Sequence, residues 1–126
     1  MQIRVYYEDT DLGGVVYHSN YLNFCERARS QCFFDRGLSP STEKGHFVVK
    51  HIEADYISIA RLGDLLEVKT KLLWIKSASF MLHQEIFNQE GKKIFTLDVL
   101  LVFLSQEGKI QRFDTSQKEF IKTLFV

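Results

Sequence analysis

The chain is poor in the residues that mark disulfide-stabilised secreted proteins. It has one proline, Pro40, and two cysteines, Cys25 and Cys32, in 126 residues. The cysteines lie seven positions apart on a predicted helix, which places their Cα atoms about 10 Å apart, whereas a disulfide requires less than about 7 Å. We therefore expect both thiols to be reduced and the chain to be cytoplasmic.

Long hydrophobic runs are also missing. The longest apolar stretch, Val99 to Leu104, has the length of a strand and is far shorter than the roughly 20 residues of a membrane-spanning helix. The first ten residues lack the apolar core of a signal peptide. The sequence therefore predicts neither a membrane span nor a secretory leader.

No excess of either charge is present. Sixteen lysines and arginines balance sixteen acidic residues, and no basic stripe runs along the chain. This balance argues against nucleic acid as a partner, because such binders carry a clustered positive surface. The four histidines form no zinc-binding pattern, so we expect no metal and no cofactor.

The chain does contain enough apolar residues for one compact core. Hydrophobic residues make up 45% of it and aromatic residues 13%, and its length predicts a single domain over residues 1–126. Cores of this size are small, and their stability often depends on association with another subunit.

One long amphipathic helix is predicted near the N-terminus. Residues 2–8 alternate like a short strand, and from Ser19 or Asn20, either a good N-cap, the apolar period changes to three and four. Gly37 is a plausible helix stop. The apolar stripe consists of Tyr21, Phe24, Cys25, Ala28, Cys32 and Phe33.

The remainder of the chain is mostly β-strand. Four long strands are predicted at residues 46–59, 65–74, 80–87 and 94–104, with hairpin turns between the later ones and a short helix at 115–124. This order favours an α+β fold with an antiparallel five-stranded sheet and one long helix packed on its concave face. The last strand is apolar on both faces, so we expect a partner subunit in a homodimer or tetramer.

An acidic, glycine-rich turn precedes the helix. It contains Glu8, Asp9 and Asp11, followed by Gly13 and Gly14. A calcium loop of the EF-hand type would need further oxygen ligands that are missing here. A phosphatase built on an aspartate nucleophile would need a parallel sheet, which a chain with one long helix does not form. The simplest interpretation is an ordinary turn whose acids favour the helix N-terminus.

The residues around this turn also suit acyl transfer. Two glycines permit close approach of another molecule, and Val15 and Val16 are expected to keep water away from Asp11. His18 lies just before the helix, where backbone N–H groups are free. A carboxylate, a histidine and N–H donors together can support attack on a thioester.

The segment from Tyr6 to Arg29 resembles the active-site segment of hotdog-fold acyl-CoA thioesterases. These form the 4-hydroxybenzoyl-CoA thioesterase superfamily, and the resemblance is strongest to its YbgC-type branch. A second stretch, Ala60 to Thr70, resembles the turn before a strand in that family, so the likeness spans most of residues 3–105. The shared motif Asp-x-Asp-x-x-Gly-x-Val-Tyr-His-x-x-Tyr is met by Asp9, Asp11, Gly14, Val16, Tyr17, His18 and Tyr21.

The resemblance implies a hotdog fold, in which the sheet wraps a central helix, and an active site at a subunit interface. Asp11 would be the essential carboxylate, acting as general base or as nucleophile. A backbone N–H near the helix start, that of His18 first of all, would hold the oxyanion. Gly14, Val16 and Tyr17 would support the turn. The substrate would be an acyl-CoA or an acyl group carried on acyl carrier protein.

Several further side chains are candidates for the same site. The hydroxyl of Tyr7 could orient Asp11, or it could belong to the core. The imidazole of His18 could act on the thioester itself, and Glu26 on the helix is a rival acid that is more often a solvated charge. Phosphates of coenzyme A could meet a group of polar residues at two turns. These are Arg61, Lys76 and Ser77.

We expect a thioesterase that hydrolyses acyl-CoA to a free acid and CoA. A hydratase or dehydratase on the same fold is the first alternative, although such enzymes carry their histidine and acid on motifs that are not found here. A non-enzymatic acyl-binding or scaffold subunit is the second. The fold alone would not decide among these, whereas the Asp11 to His18 segment favours the thioesterase.

Overall fold

A computed structural model describes residues 1–125 of the chain. It contains six strands and two α-helices, with a single 3-10 turn at Tyr7–Asp9. In chain order they are β1 (Gln2–Arg4), α1 (Asn20–Phe34), β2 (Ser41–Thr42), β3 (Gly45–Tyr56), β4 (Leu65–Ile75), β5 (Ser79–Phe87), β6 (Lys93–Leu104) and α2 (Thr115–Leu124).

The strands form one antiparallel sheet in the order β1-β4-β5-β6-β3-β2. The sheet has six strands where five were predicted, because the chain after α1 adds β2, a two-residue strand paired with the start of β3. A bulge between Val49 and His51 bends β3 against β6, and a second one between Leu72 and Trp74 bends β4 against β5. Bulges increase strand twist and curvature, so the sheet curls around the helix.

Helix α1 packs on the inner face of this sheet, as the periodic stripe predicted. Five stripe residues are buried, whereas Cys32 is only half-buried. Alternate residues of the long strands meet them, and the aromatic rings of Tyr21 and Phe95 stack with centroids 5.1 Å apart. Burying such side chains is the main source of the fold's stability. The predicted α+β hotdog arrangement is confirmed.

Residues 5–9 differ from the prediction of a strand over residues 2–8. Strand β1 ends at Arg4, and the next residues form the 3-10 turn. The cause is Asp9, whose backbone N–H donates to the Tyr6 carbonyl at 3.0 Å while its carboxylate accepts from the Tyr6 N–H at 2.9 Å. This pair of bonds closes a turn and removes Tyr7 from the predicted alternation.

Of the two predicted N-caps of α1, Ser19 occupies the N-cap position. Ser19 precedes the helix but its side chain makes no capping hydrogen bond. The side chain of Asn20 instead reaches backwards and donates to the carbonyl of Asp9 at 2.9 Å. The helix start is therefore fixed to the acidic turn rather than capped by its own first residue. At the other end, Gly37 adopts a φ of 71° and the helix stops as predicted.

Helix α2 spans the predicted residues 115–124 and closes one end of the core. Its N-cap is Asp114, whose carboxylate accepts from the Gln117 N–H at 2.7 Å. Ile121 and Leu124 are buried on its inner side. No helix within residues 1–125 is long and apolar enough to cross a membrane.

The thiols are free within the described chain, and Cys25 is fully enclosed in the core. Burial raises the pKa of the Cys25 thiol to about 12, because the charged thiolate would lose its hydration. Cys25 is therefore a neutral packing residue at physiological pH, in line with the prediction of reduced cysteines.

Candidate active site

Asp9 organises the turn before α1. Its side chain is only 6% exposed, and its carboxylate is held by the Tyr6 N–H. Its carbonyl oxygen accepts from the Tyr17 N–H at 2.9 Å and from the Asn20 side chain at 2.9 Å. A buried acid with all these bonds holds the chain in place, which agrees with assigning Asp9 to the turn.

Asp11 lies at the tip of the same turn and is exposed. One oxygen, Oδ1, accepts from the Gly13 N–H at 2.8 Å, and the Asp11 N–H donates to the Val15 carbonyl at 2.9 Å. Gly14 adopts a φ of 76°, a left-handed conformation that favours glycine. The turn thus fixes the carboxylate by one oxygen, and within residues 1–125 the other oxygen, Oδ2, accepts no hydrogen bond.

The loop between β3 and β4 supports this turn from the side. The Val16 N–H donates to the Ala60 carbonyl at 2.9 Å, and the Leu62 N–H donates to the Gly14 carbonyl at 3.2 Å. Val15 and Arg61 form an isolated antiparallel bridge. The two sequence segments that resembled the thioesterase family therefore meet in space.

The start of α1 presents free hydrogen-bond donors. In the part of the chain that the structure describes, the backbone N–H groups of His18 and Ser19 have no protein acceptor. Both lie at the positive end of the helix dipole, where an anion is stabilised. The imidazole of His18 is exposed, tilted against the Tyr17 ring at a centroid distance of 4.4 Å.

Two tyrosines hold the helix start against the sheet. The Tyr56 hydroxyl donates to the His18 carbonyl at 2.9 Å, and the buried Tyr21 hydroxyl accepts from the Ala60 N–H at 3.1 Å. Burial raises the pKa of Tyr21, so that hydroxyl stays neutral. Sequence reasoning missed Tyr56, because 38 residues separate it from His18 and no local pattern links them.

A shallow depression of about 600 Å³ lies over the Asp11 carboxylate. Its lining residues are Tyr7, Thr10, Asp11, Leu12, Gly14 and Leu62. The expectation that Val15 and Val16 keep water from Asp11 is not met in a single protomer. Val16 is buried and turned into the core, whereas Asp11 is exposed. A dry site at Asp11 would require a surface from outside this protomer.

Tyr7 shares the depression with Asp11, but it is not a core residue. Its side chain is 83% exposed. No hydrogen bond or ion pair within residues 1–125 joins Asp11 to Tyr7 or to the His18 imidazole. Glu26 lies on a different surface, where its carboxylate accepts from the Ser30 hydroxyl at 3.0 Å. The structure therefore brings Asp11, Gly14 and Tyr7 together and leaves Glu26 away from them.

The residues predicted to bind coenzyme A are divided between two ends of the protomer. Arg61 is exposed beside the acidic turn. Lys76 and Ser77 lie beyond the far end of β4, an eleven-residue strand that is roughly 30 Å long. The Lys76 ammonium rests 4.5 Å from the centroid of the Trp74 ring. Of these three residues, Arg61 is the one that lies beside the acidic turn of the same protomer.

Metal-ligating side chains do not gather at this turn. Across residues 1–125, no three or more histidine, cysteine, aspartate or glutamate side chains are placed to hold a metal ion together. The groups that the site does offer are a fixed carboxylate and backbone donors at a helix start.

Comparisons with known proteins identify relatives of this chain. The chain is 43% identical over 106 residues to the acyl-CoA thioesterase YbgC of Helicobacter pylori, covering 84% of this chain and 80% of that protein. It is 40% identical over 103 residues to the acyl-CoA thioester hydrolase YbgC of Escherichia coli, covering 79% and 77%.

Solved structures share the fold over nearly the whole chain. A probable thioesterase from Bartonella henselae superposes with a TM-score of 0.80 at 38% identity, covering 90% of this chain and 96% of that one. The family model described as the thioesterase superfamily matches residues 13–95, from the glycines of the acidic turn to the start of β6. This chain belongs to the thioesterase superfamily.

Proposed function

We propose that this chain hydrolyses acyl-CoA thioesters to a free carboxylic acid and CoA, with Asp11 as the acting carboxylate. The main supporting observation is how the two oxygens of the Asp11 carboxylate are bonded. Its Oδ1 is fixed by the Gly13 N–H, while Oδ2 makes no hydrogen bond within residues 1–125 and the side chain borders an open depression. The YbgC relatives are named as acyl-CoA thioesterases, which supports this substrate class.

Two mechanisms fit a fixed carboxylate. As a general base, Asp11 takes a proton from water, the hydroxide oxygen attacks the thioester carbon, and the C–S bond breaks as the CoA thiolate receives the proton. As a nucleophile, Asp11 attacks that carbon and releases CoA, and water then cleaves the resulting anhydride. In both, negative charge develops on the thioester oxygen.

The backbone N–H of His18 is our proposed donor to that oxygen. It is free within the described residues and lies at the helix start. A donor fixed by the backbone needs no reorganisation as the charge develops, which is what makes such groups effective. The Ser19 N–H beside it is a second free donor. The bonds from Tyr56 and Asn20 hold this part of the chain in position.

A second copy of the chain would complete the site. Strand β2 pairs only with Gly45 and His46, so from Phe47 to Tyr56 the outer edge of β3 has no partner strand in residues 1–125. Open edges of this length invite pairing with another strand. Exposed apolar side chains follow this edge and the loop after it: Val49, Ile52, Tyr56, Ile57 and Ile59.

The charges along β3 favour antiparallel pairing between the β3 strands of two copies of the chain. Lys50 lies toward one end of the free edge and Glu53 and Asp55 toward the other. In an antiparallel pair of identical strands, the basic end of each meets the acidic end of the other. We therefore propose a homodimer through β3, with a tetramer as a further level of assembly.

The open edge that could pair with a partner subunit belongs to β3 and not to β6. The sequence suggested that β6 needed an outside cover, but β6 lies between β5 and β3, and Ile94 and Val102 are buried within the protomer. Lys76 and Ser77 stay candidates for CoA binding only if a neighbouring subunit brings its hairpin to the depression.

Release of free thiol from acyl-CoA substrates tests the proposal directly. Purified protein should release CoA from aliphatic and aromatic acyl-CoAs, and a series of chain lengths would define its preference. Acyl carrier protein thioesters, run beside the matched acyl-CoAs, separate the two carriers. A hotdog hydratase, a dehydratase or a binding subunit would release no thiol, and that result would reject the proposal.

A further inference from the structure

One histidine lies on the open edge of β3. His51 is exposed in the middle of the stretch from Phe47 to Tyr56, which has no outer partner strand in residues 1–125. Its Nε2 lies 3.6 Å from Oε1 of Glu53, two positions further along the strand. The other three of the four histidines lie outside this stretch: His18, His46 and His83. His51 is therefore the group on this edge whose charge changes near neutral pH.

The side chains of His51, Glu53 and Asp55 share the outer face of the sheet, away from α1. Successive side chains of a strand alternate between faces, so residues two apart lie on the same face. The cross-strand neighbour of Glu53 on β6 is Asp98, and the residues on either side of Asp98 are buried in the core. The carboxylates of Glu53 and Asp98 are thus opposite each other on one face, and like charges in such positions repel.

The charged groups further from the edge have partners within the protomer. Oδ1 of Asp98 lies 2.6 Å from Nδ1 of His83 on β5, and Lys71 on β4 is the cross-strand neighbour of His83. The Glu85 carboxylate lies 2.6 Å from the Lys93 ammonium, whose hydrogen bond lowers the pKa of that carboxyl. A second copy of the chain neither makes nor breaks these pairs.

The two ends of the open edge carry unequal permanent charge. Between residues 47 and 56, Lys50 is the one permanent cation, and Glu53 and Asp55 are two anions. His51 lies next to Lys50, and its cross-strand neighbour on β6 is the uncharged Leu100. A neutral His51 therefore leaves the basic end one charge short, whereas a protonated His51 makes the two ends equal and opposite.

Antiparallel pairing of two β3 strands brings the basic end of each against the acidic end of the other. A two-fold dimer uses the same surface of both copies, so every such contact occurs twice. Cross-strand neighbours have Cβ atoms about 4.5–5.5 Å apart, and diagonal ones about 7–8 Å. His51 of each copy therefore comes within reach of a carboxylate of the other strand, in addition to Glu53 of its own.

We propose that protonation of His51 tightens the β3 homodimer, so that acidification favours assembly. Each imidazolium pairs with a carboxylate of the other copy, and two such pairs form per dimer. This contribution is present below the pH range in which histidine titrates and is lost as the pH rises through it. The inference rests on the homodimer through β3 that is part of the proposed function, and it makes completion of the active site depend on pH.

Equilibrium sedimentation of Asp11→Asn protein at pH 6 and pH 8 tests this coupling independently of catalysis. We expect the dimer dissociation constant to be about tenfold lower at pH 6, because each of two exposed ion pairs contributes about threefold. Urea at one fixed concentration in all samples brings dissociation into the measurable range. At about 1 M salt the difference between the two pH values should shrink, because ions screen exposed pairs.

Three variants in the same background assign the effect to the imidazole of His51. His51→Gln should have the weaker dissociation constant of pH 8 at both pH values. His51→Arg carries a permanent charge and should have the tighter value of pH 6 at both. His83→Gln is the matched control, because it removes a histidine from the same face of the sheet but away from the open edge. It should keep the tenfold difference.

Equal dissociation constants at the two pH values, with His51 present, would overturn the inference. So would a pH difference that survives in His51→Gln, or one that is lost in His83→Gln. Hydrogen exchange of the outward-facing β3 amides separates this failure from failure of the homodimer. Slow exchange there in a dimer that does not respond to pH would reject the role of His51 and leave the β3 contact standing. Fast exchange there, or a protein that stays monomeric at both pH values, would reject both.

Discussion

The Tyr56 hydroxyl donates a hydrogen bond of 2.9 Å to the carbonyl oxygen of His18 and so ties β3 to the start of α1. The same ring lies 5.0 Å from Phe95 and 5.7 Å from Tyr21 by centroid distance. The free N–H groups at the helix start are therefore positioned by a strand whose outer edge is open. The candidate active site and the proposed subunit contact share this residue.

Tyr56→Phe should keep the aromatic contacts and remove only the hydrogen bond. One such bond is worth about 0.5–1.5 kcal/mol, so we expect kcat to fall about two- to tenfold. KM should change little, because the hydrogen bond that is removed only positions the proposed donor to the developing charge. Steady-state kinetics and a sedimentation run check this. An unchanged kcat in an intact oligomer would contradict a positioning role.

Asp11→Asn should separate activity from folding. Asparagine can still accept the Gly13 N–H, so the turn and the melting temperature should be unchanged. It cannot act as base or nucleophile, and we expect kcat to fall at least about 100-fold. Thiol-release kinetics beside a thermal melt make the comparison. Wild-type activity in the folded variant would end the assignment of Asp11.

Substitution of Asp9, unlike that of Asp11, should lower stability more than activity. Its buried carboxylate holds the Tyr6 N–H, so Asp9→Ala should cost about 1–3 kcal/mol of unfolding free energy in urea titrations. Asp9→Asn keeps a hydrogen-bond acceptor. It should therefore lose less stability than Asp9→Ala and less activity than Asp11→Asn. If Asp9→Asn instead loses more activity than Asp11→Asn while remaining as stable as wild type, the roles of the two aspartates must be exchanged.

His18→Ala distinguishes the side chain from the backbone. The imidazole is exposed and contacts Tyr17, whereas the His18 N–H is free. Alanine retains that N–H, so we expect a loss below about tenfold, or 1.4 kcal/mol. A histidine acting in proton transfer would add a limb to the pH–rate profile between about pH 5 and 8. A loss of 100-fold together with disappearance of such a limb would assign the chemistry to the imidazole.

The sequence was most informative where local periodicity and burial agree. Helix α1 followed from the stripe from Tyr21 to Phe33, because its apolar period is a local signal. The predicted bounds of α2, residues 115–124, also match the structure. The four long strands lie where they were predicted, except that the first was extended to residue 59 whereas β3 ends at Tyr56. The candidate site was placed on the motif from Asp9 to Tyr21 by the family resemblance, and the roles of its residues stay predictions.

The features that the sequence did not predict depend on tertiary contacts, and no local pattern reveals such contacts. The alternation of residues 2–8 predicted a strand, yet a carboxylate bond from Asp9 to the Tyr6 N–H turns the chain at Tyr7. Tyr56 reaches His18 across 38 residues, and Asp11 is exposed where Val15 and Val16 were expected to shield it. Such features follow from tertiary packing, so they become visible only in the folded structure.

Ile52→Lys tests the proposed contact through β3. Ile52 lies in the middle of the unpaired edge and is 38% exposed, and a lysine on an edge strand disfavours pairing with another strand. We expect equilibrium sedimentation at micromolar concentration to shift from dimer to monomer, with loss of thiol release. Ile110→Lys is the matched control, because Ile110 is exposed on the loop after β6 and should leave assembly and activity intact. A wild-type protein that sediments as an active monomer, or an Ile52→Lys protein that stays dimeric, would place the interface elsewhere.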